Sequence, residues 1–311
     1  MSSDQPPTAG LDVTVVLPAL NEVGHIGDEV ARITNALKDS PYSFEILVID
    51  DGSTDGTGDA VEGRPFVRLM RFPVNRGSGT ARRIGTQKAH GRYVVWTDAD
   101  MTYPNERIPE LIDILRTGRA QQVVGARSTE EGTHKVFRVP AKWTIRKLAE
   151  YLSASSIPDL NSGLRAFVRR DALPYLGLLP TGFSCVTTIT LAFLSNGLVV
   201  EYLPIDYAKR AGKSHFHPVK DAYKYILQVV RMVTFFEPLR VFAPLAFLLL
   251  FLGGFKMIYD VIGGALADGD PFRLSINTVL LLITGLILFS LGLLADLIVR
   301  VSKHTTGEPD S

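Results

Sequence analysis

Two long apolar runs near the carboxyl end constrain the fold of this chain more than any other feature. The first extends from Val241 to Ile262 and the second from about Ser275 to Val301, and a short polar linker, ADGDPFR, separates them. Each run is long enough for a helix that crosses a hydrocarbon layer of about 30 Å. The sequence therefore predicts a transmembrane helical hairpin over residues 239–301. A buried helix pair of a soluble protein is the alternative.

The charges around the hairpin predict its orientation. Four basic residues flank its outer ends: Arg231, Arg240, Arg300 and Lys303. The linker carries two acidic residues against one basic residue, and basic flanks favour the cytoplasmic side. We therefore expect an integral protein of the plasma (inner) membrane, with the amino-terminal domain and both termini in the cytoplasm. Residues 1–10 lack the basic start and apolar core of a signal peptide, and we expect them to be a disordered tail.

An amphipathic segment precedes the hairpin. Over residues 216–238, apolar residues recur at helical spacing with basic residues among them. This pattern predicts a helix that lies in the membrane interface, and a core-facing helix of the preceding domain is the alternative. Residues 302–311, beyond the hairpin, are expected to form a cytoplasmic tail.

Strands and helices alternate through the first 215 residues. Runs with strand character cover Val13–Leu17, Phe44–Ile49, Val67–Arg71, Tyr93–Thr97 and Gln122–Val124. Helical patterns fall between them, at about Ile26–Leu37, Ser78–Ala89 and Glu106–Thr117. Residues 11–215 are therefore predicted to form an α/β domain with a doubly wound, mostly parallel sheet, whose ligand loops lie at the carboxyl ends of the strands.

The net charge argues against a nucleic-acid partner, and the cysteine content argues against disulfide or thiol chemistry. The formal net charge is +1 and the basic residues are spread along the chain, so we expect no nucleic-acid partner. The single cysteine, Cys185, cannot form an internal disulfide and lies in an apolar stretch without metal-ligand spacing. We interpret it as a buried structural thiol.

Acidic residues follow three of the predicted strands. Glu22 follows VVLPALN, Asp50 and Asp51 end the run ILVIDD, and Asp98 and Asp100 follow YVVWT. Because the carboxyl ends of parallel strands meet at one edge of a sheet, these groups are expected to share a crevice. Two anions at the mouth of a buried strand are unfavourable without a counter-cation, which predicts Mg²⁺ or Mn²⁺ at the third motif. Surface turns with helix-capping carboxylates are the alternative.

In order and spacing, these motifs resemble family 2 glycosyltransferases of the GT-A fold, specifically the dolichol or polyprenyl phosphate sugar synthase group. The resemblance covers about residues 12–215. It implies that a nucleotide sugar is bound by Pro18, Ala19, Glu22, Asp50, Asp51, Ser78, Asp98, Lys213 and Ser214. It also implies a metal site of Asp98, Asp100 and Thr102.

The resemblance extends to the segments GAR at 125–127, PDLNSGLR at 158–165 and KRAGKSH at 209–215. It implies a catalytic set of Asp100, Asp159, Arg127, Arg165 and Arg210. In this set the three arginines would position an acceptor phosphate and Asp159 would orient the nucleophile. Three positions depart from the family pattern: Ser78 replaces a common Lys, Thr102 a common Gln, and His215 the usual Lys. Arg76, Arg82 or Arg83 is expected to supply the charge missing at Ser78.

The implied reaction is the inverting, metal-dependent transfer of a hexose from a nucleotide diphosphate sugar, UDP-glucose or GDP-mannose, to a polyprenyl or dolichyl phosphate at the cytoplasmic membrane face. A glycosyltransferase acting on a glycerolipid or a growing polysaccharide is one alternative. A non-catalytic membrane scaffold that binds nucleotides is another. Glycine pairs in the hairpin leave a homo-oligomer open.

Overall fold

The computed structural model describes residues 10–127, 157–208, 237–267 and 274–306, together with residues 230 and 234. The chain separates into two compact units, residues 1–229 and 230–311. Most of the predicted interfacial helix over 216–238 lies outside the described residues.

Within its described residues, the first unit contains seven strands and five helices. The strands are β1 (Val13–Ala19), β2 (Phe44–Asp50), β3 (Val67–Arg71), β4 (Tyr93–Trp96), β5 (Gln122–Arg127), β6 (Arg165–Val168) and β7 (Val200–Ile205). The helices are α1 (Ile26–Lys38), α2 (Ser78–Lys88), α3 (Ile108–Arg116), the short α4 (Arg169–Ala172) and α5 (Cys185–Ser195). Two 3₁₀ segments cover Asn105–Arg107 and Leu173–Leu178.

The strands form one sheet in the order β3-β2-β1-β4-β6-β5-β7. All run parallel except β6, which is antiparallel to β4 and β5. This confirms the predicted mostly parallel α/β sheet. Ala19 pairs with Asp50, and Val16 pairs with Trp96, so β1, β2 and β4 end at the same edge. The chain order reverses between β1 and β4, which is where α/β sheets of this kind bind ligands.

Helices cover both faces of this sheet, because the central strands are apolar on both sides. On one face, Val15 and Ile46 pack with Ile33 of α1 and Leu111 of α3. On the other face, Trp96 and the side chains around it pack against α2 and α5. Fully buried strands of this kind are typical of parallel sheets. The sheet therefore gives the loops at its edge a rigid base.

Among the described residues, the sequence did not predict the strands β6 and β7 or the helices α4 and α5. The strand β6 has only four residues and begins with a charged residue, Arg165, so it lacks a strong apolar pattern. Its place is decided by pairing with β4 and β5, which are distant in the chain. The signals for α5 and β7 were the apolar runs CVTTITLAFL and GLVVEYLPI.

The second unit contains two long helices, α6 (Pro238–Ala267) and α7 (Ile276–Thr306). By length and composition, both are apolar enough to cross a membrane. Only 11% and 17% of the residues in their most apolar windows are buried, whereas the core helix of a soluble protein would be mostly buried. This exposure favours the predicted hairpin over a soluble helix pair.

Small residues allow α6 and α7 to approach closely. A Cβ atom at Gly253 would lie 2.8 Å from Leu282 Cδ2, and one at Gly285 would lie 2.8 Å from Leu250 Cγ. A side chain at either position would therefore push the helices apart. Gly253 thus serves the contact between α6 and α7 of one chain. The homo-oligomer stays a prediction.

A carboxylate joins the two helices near the linker. Asp260 of α6 forms an ion pair with Lys256, with 3.1 Å between Oδ1 and Nζ. Its Oδ2 accepts hydrogen bonds from the Ser275 N–H at 3.0 Å and from Thr278 Oγ1 at 2.6 Å. Asp260 therefore caps the start of α7 from the neighbouring helix.

Candidate functional site

Hydrogen bonds hold the loops after β1 and β2 together. The Asn21 N–H donates to Ser53 Oγ at 3.0 Å, and the Thr54 N–H donates to Asn21 Oδ1 at 3.0 Å. The Glu22 N–H donates to Thr57 Oγ1 at 2.9 Å. Asn21 has a φ of 56°, a left-handed conformation that asparagine tolerates well. The structure therefore brings Glu22 and the end of β1, with the predicted residues Pro18 and Ala19, beside the loop after β2.

The two carboxylates at the end of β2 bind backbone amides. Asp50 Oδ1 accepts a hydrogen bond from the Ser53 N–H at 2.8 Å. The two oxygens of Asp51 accept hydrogen bonds from the Arg76 N–H at 2.7 Å and the Gly77 N–H at 2.8 Å. Asp51 therefore fixes the turn that leads into α2. Its predicted contact with the nucleotide would use its remaining lone pairs.

The start of α2 is covered by another loop. The Gly79 N–H donates to the carbonyl oxygen of Thr181 at 2.7 Å. A Cβ atom at Gly77 would lie 2.4 Å from the same oxygen, so only glycine permits this approach. The Ser78 hydroxyl is buried and has no hydrogen-bond partner within the described residues. A phosphate at Ser78 would compete with the Thr181 carbonyl for this helix terminus.

Asp98 forms an ion pair with Arg82 of α2. The Arg82 side chain is 1% exposed and that of Asp98 is 29% exposed, so the pair joins the core to the surface. Burial lowers the pKa of Arg82, but the Asp98 charge outweighs this effect and the pKa is raised overall. The structure thus pairs one of the three candidate arginines with a predicted metal ligand.

Asp100 is held by a tight turn. Its Oδ1 accepts hydrogen bonds from Thr102 Oγ1 at 2.5 Å and from the Thr102 N–H at 3.3 Å. Met101, between them, has a φ of 61°, which is unusual for a residue with a long side chain. The Thr102 hydroxyl is thus directed at Asp100. Its predicted role as a metal ligand stays a prediction.

The carboxylates of this loop suit a divalent ion whose coordination would be completed by substrate phosphates. Within residues 10–127, 157–208 and the described hairpin, no group of three or more His, Cys, Asp or Glu side chains is placed to hold an ion. Mg²⁺ is commonly bound by one or two carboxylates together with phosphate oxygens, so such a group is not required. Arg82 offsets part of the Asp98 charge. We therefore expect Asp100 to be the stronger ligand.

Arg127, at the end of β5, forms a two-point ion pair with Asp159. Its Nε lies 2.6 Å from Oδ2, and its Nη2 lies 3.0 Å from Oδ1. Burial raises the pKa of Asp159, but the Arg127 hydrogen bonds and charge outweigh it, so the pKa is lowered. Asp159 is therefore ionised at neutral pH. Such a carboxylate is a weak base and is better suited to orienting its partner.

Arg165 lies in the core, although the resemblance implied that it faces the acceptor. Its guanidinium group donates to the carbonyl oxygens of Val186 and Ser162 and, at 2.8 Å, to Thr190 Oγ1. Burial lowers the pKa of Arg165 to about 10, so it remains charged at neutral pH. A fully buried guanidinium bonded to the protein does not meet an acceptor phosphate, and a structural role replaces the predicted contact.

Tyr103 connects the metal loop to the segment that contains Asp159. Its hydroxyl accepts a hydrogen bond from the Gly163 N–H at 2.6 Å. A Cβ atom at Gly163 would lie 2.7 Å from Asp98 Oδ2, so glycine allows this segment to contact the carboxylate. The tertiary structure therefore brings the predicted metal and acceptor motifs together. Tyr103 lies three residues after Asp100, and no local sequence pattern indicated its role.

The last described residues of the first unit contact the metal motif and Arg127. The Ala208 N–H donates to the Thr102 carbonyl oxygen at 3.0 Å. The ring of Tyr207 lies 5.1 Å from that of Tyr103 and 5.3 Å from Arg127 Cζ. The predicted residues Arg210, Lys213 and Ser214 follow directly and lie outside the described residues.

Two family matches cover most of the chain. Residues 14–175 match glycosyl transferase family 2, and residues 237–301 match the GtrB C-terminal hairpin. The first match includes the three acidic motifs and both sides of the Arg127–Asp159 pair. The second coincides with the two long apolar helices.

Curated relatives extend the similarity. The chain is 28% identical to the bactoprenol glucosyl transferase of Shigella phage SfV, over 94% of this chain and 96% of that protein. It is 23% identical to the dodecaprenyl-phosphate galacturonate synthase of Rhizobium johnstonii, over 98% and 92%. It is 27% identical to the low-salt glycan biosynthesis hexosyltransferase Agl6 of Haloferax volcanii over 72% of this chain, which spans about half, 53%, of that protein.

A solved structure shares the fold of the first unit. Glucosyl-3-phosphoglycerate synthase from Mycobacterium tuberculosis, crystallised with Mn²⁺, UDP and glucosyl-3-phosphoglycerate, has a TM-score of 0.55 and 23% identity. The similarity covers 72% of this chain and 79% of that one. At this identity the similarity supports the GT-A architecture and nothing finer.

Proposed function

This chain belongs to glycosyl transferase family 2, and from that membership we propose that it transfers a hexose from a nucleotide diphosphate sugar to a polyprenyl phosphate, with inversion, at the cytoplasmic face of a membrane. One observation carries the proposal: a family 2 domain and a GtrB C-terminal hairpin occur in the same chain. Two relatives similar over almost its whole length are named for a bactoprenol or dodecaprenyl phosphate. An acceptor in the membrane would also account for the apolar hairpin, which would hold the enzyme at the membrane.

UDP-glucose is the first donor to test, and GDP-mannose is the second. A relative similar over 94% of this chain is named as a glucosyl transferase. Asp50, Asp51 and Glu22, with Pro18 and Ala19 of β1, are proposed to bind the nucleotide. Their support is their position on two adjoining loops at the carboxyl edge of the sheet.

Asp100 and Asp98 are proposed to hold Mg²⁺ or Mn²⁺ at the diphosphate. A bound ion of this kind would neutralise the charge that develops on the leaving diphosphate. The chain contributes the placement of the carboxylates: Thr102 fixes Asp100, and Arg82 fixes Asp98. Preorganised ligands avoid reorganisation during the reaction.

The acceptor phosphate requires positioning more than it requires a base. A phosphate monoester is largely ionised near neutral pH, so its oxygen can attack the anomeric carbon directly. We assign its positioning to Arg127 and Arg210, and we assign the orientation of Arg127 to Asp159. A single displacement of this kind inverts the anomeric configuration.

The test is a transfer assay with the full-length protein in nanodiscs. The purified protein is incubated with undecaprenyl phosphate, each donor in turn, and Mg²⁺ or Mn²⁺, and products are identified by mass spectrometry. We expect one hexosyl-phosphoryl lipid, and we expect Asp100→Asn to lower kcat at least about 100-fold because it removes a ligand charge. Asp59→Asn, at an exposed surface carboxylate, is the matched control.

Two results would contradict the proposal. One is full turnover by Asp100→Asn. The other is sugar transfer to a glycerolipid or polysaccharide, and not to the polyprenyl phosphate, when all of them are supplied together.

A further inference from the structure

A buried carboxylate lies behind the loop that carries Asp98 and Asp100. Glu29, on α1, is 0% exposed. Burying an acid is costly, and an apolar side chain would normally occupy such a position on the core face of a helix. The proposed nucleotide and acceptor contacts do not use Glu29. Its hydrogen bonds instead reach the metal loop, defined here as residues 97–105.

These hydrogen bonds close the two ends of the metal loop. Glu29 Oε1 accepts a hydrogen bond from Asn105 Nδ2 at 2.6 Å. Asn105 Oδ1 in turn accepts one from Thr97 Oγ1 at 2.7 Å. All three side chains are fully buried, so water does not compete for these bonds. Thr97 directly precedes Asp98, and the bridge therefore fixes the residue at which the loop begins.

The middle of the metal loop is held by the same helix. Arg32, one turn along α1, donates to the carbonyl oxygen of Tyr103, and its Nε lies 3.6 Å from Glu29 Oε1. Met101 has the left-handed backbone that turns Asp100 toward Thr102. A strained residue of this kind persists only when its surroundings fix it.

We propose that Glu29 is a positioning residue that holds the metal loop in the conformation in which Asp100 binds the divalent ion. The inference rests on the proposed function, because the ion at Asp100 is part of it. Glu29 acts through the loop and does not touch the ion or either substrate. Residues that orient metal ligands typically change metal affinity or activity by about 10- to 100-fold when they are replaced.

The test compares Glu29→Leu, Glu29→Gln and a matched control, Glu45→Gln. Glu45 is also a buried carboxylate, but it lies on β2 and is hydrogen-bonded to Arg68, Thr14 and the His90 N–H, away from the metal loop. Mn²⁺ binding is measured by electron paramagnetic resonance in the presence of UDP or GDP, beside the Mn²⁺ concentration for half-maximal transfer. Thermal unfolding is measured for every variant.

We expect Glu29→Leu to weaken Mn²⁺ binding about 10-fold or more. Glu29→Gln keeps one acceptor for Asn105, so its loss should be smaller. Glu45→Gln should lower the unfolding temperature and leave Mn²⁺ affinity at the wild-type value. If Glu29→Leu does not fold, Asn105→Ala removes the same bridge from the loop side and should weaken Mn²⁺ binding in the same way.

The inference is overturned if Glu29→Leu, or Asn105→Ala in its place, binds Mn²⁺ as tightly as the wild type. It is also overturned if Glu45→Gln weakens binding equally, because the effect would then reflect general destabilisation. Failure of the proposed function gives a different result. In that case the wild-type protein transfers no sugar, or its Mn²⁺ binding is unchanged by Asp100→Asn.

Discussion

Arg82 changes what the neighbouring carboxylate Asp98 can do. Because its guanidinium is buried, the attraction between the two charges is stronger than it would be at the surface. The pair fixes the Asp98 side chain and offsets part of its charge. The sequence suggested that an arginine near Ser78 would serve the diphosphate directly. Arg82 instead forms an ion pair with Asp98 of the metal loop.

The ionised Asp159 is expected to stabilise the fold in a pH-dependent way. Its pKa lies below the unfolded value of 3.8, so the ionised form stabilises the folded state. This contribution is present at pH values above the unfolded pKa and is lost as pH falls through the folded-state pKa. Asp159→Asn should therefore be less stable than wild type at pH 7, by about 1–3 kcal/mol, because it leaves Arg127 without its carboxylate.

Thermal unfolding between pH 3 and pH 7, followed by circular dichroism, measures this difference. The gap between Asp159→Asn and wild type should narrow toward the acid end of the range. A gap of constant size would show that the charge of Asp159 does not stabilise the fold.

At the scale of elements, the strongest local patterns predicted the right structures. The five predicted strands and three predicted helices of the α/β unit are present, with ends that differ by a few residues. The elements that were missed, β6, α4, α5 and β7, follow the central strands in the chain. The order of a sheet depends on pairing between distant segments, as when β6 inserts between β4 and β5. Local periodicity does not report that pairing.

Asp260 is expected to stabilise the hairpin. Asp260→Ala removes the acceptor for the Ser275 N–H and the Thr278 hydroxyl, which join α6 to the start of α7. Hydrogen bonds between membrane helices contribute on average about 0.6 kcal/mol each, so we expect a loss of about 1–2 kcal/mol. Unfolding by sodium dodecyl sulfate titration measures it. Ser290→Ala, in the middle of α7, is the control, and an equal effect of both substitutions would contradict the prediction.

In the whole molecule, the two compact units have different proposed roles: one binds the donor and the metal, and the other holds the protein at the membrane. The unit of residues 1–229 carries the acidic motifs, and the unit of residues 230–311 carries the apolar helices. A protein ending at residue 229 is expected to keep Mn²⁺ and nucleotide binding. Its transfer to undecaprenyl phosphate in vesicles should fall at least about 10-fold, because it loses the effective concentration that a membrane anchor provides.

Transfer to a short, water-soluble isoprenoid phosphate should fall much less in the truncated protein. The ratio of the two rates, measured with full-length and truncated protein side by side, is the readout. An unchanged rate with the vesicle-bound acceptor would show that the hairpin does not serve acceptor access.

Local sequence patterns were enough to predict the α/β class, the order of the acidic motifs and the two long apolar helices. Each of these follows from a local pattern, since hydrophobic periodicity and the length of apolar runs depend on neighbouring residues. Long-range packing pairs Arg82 with Asp98, buries Arg165, and brings Glu29 to Asn105, 76 residues away in the chain. Such partners are chosen by which segments the sheet brings together and by the cost of leaving a buried charge unpaired.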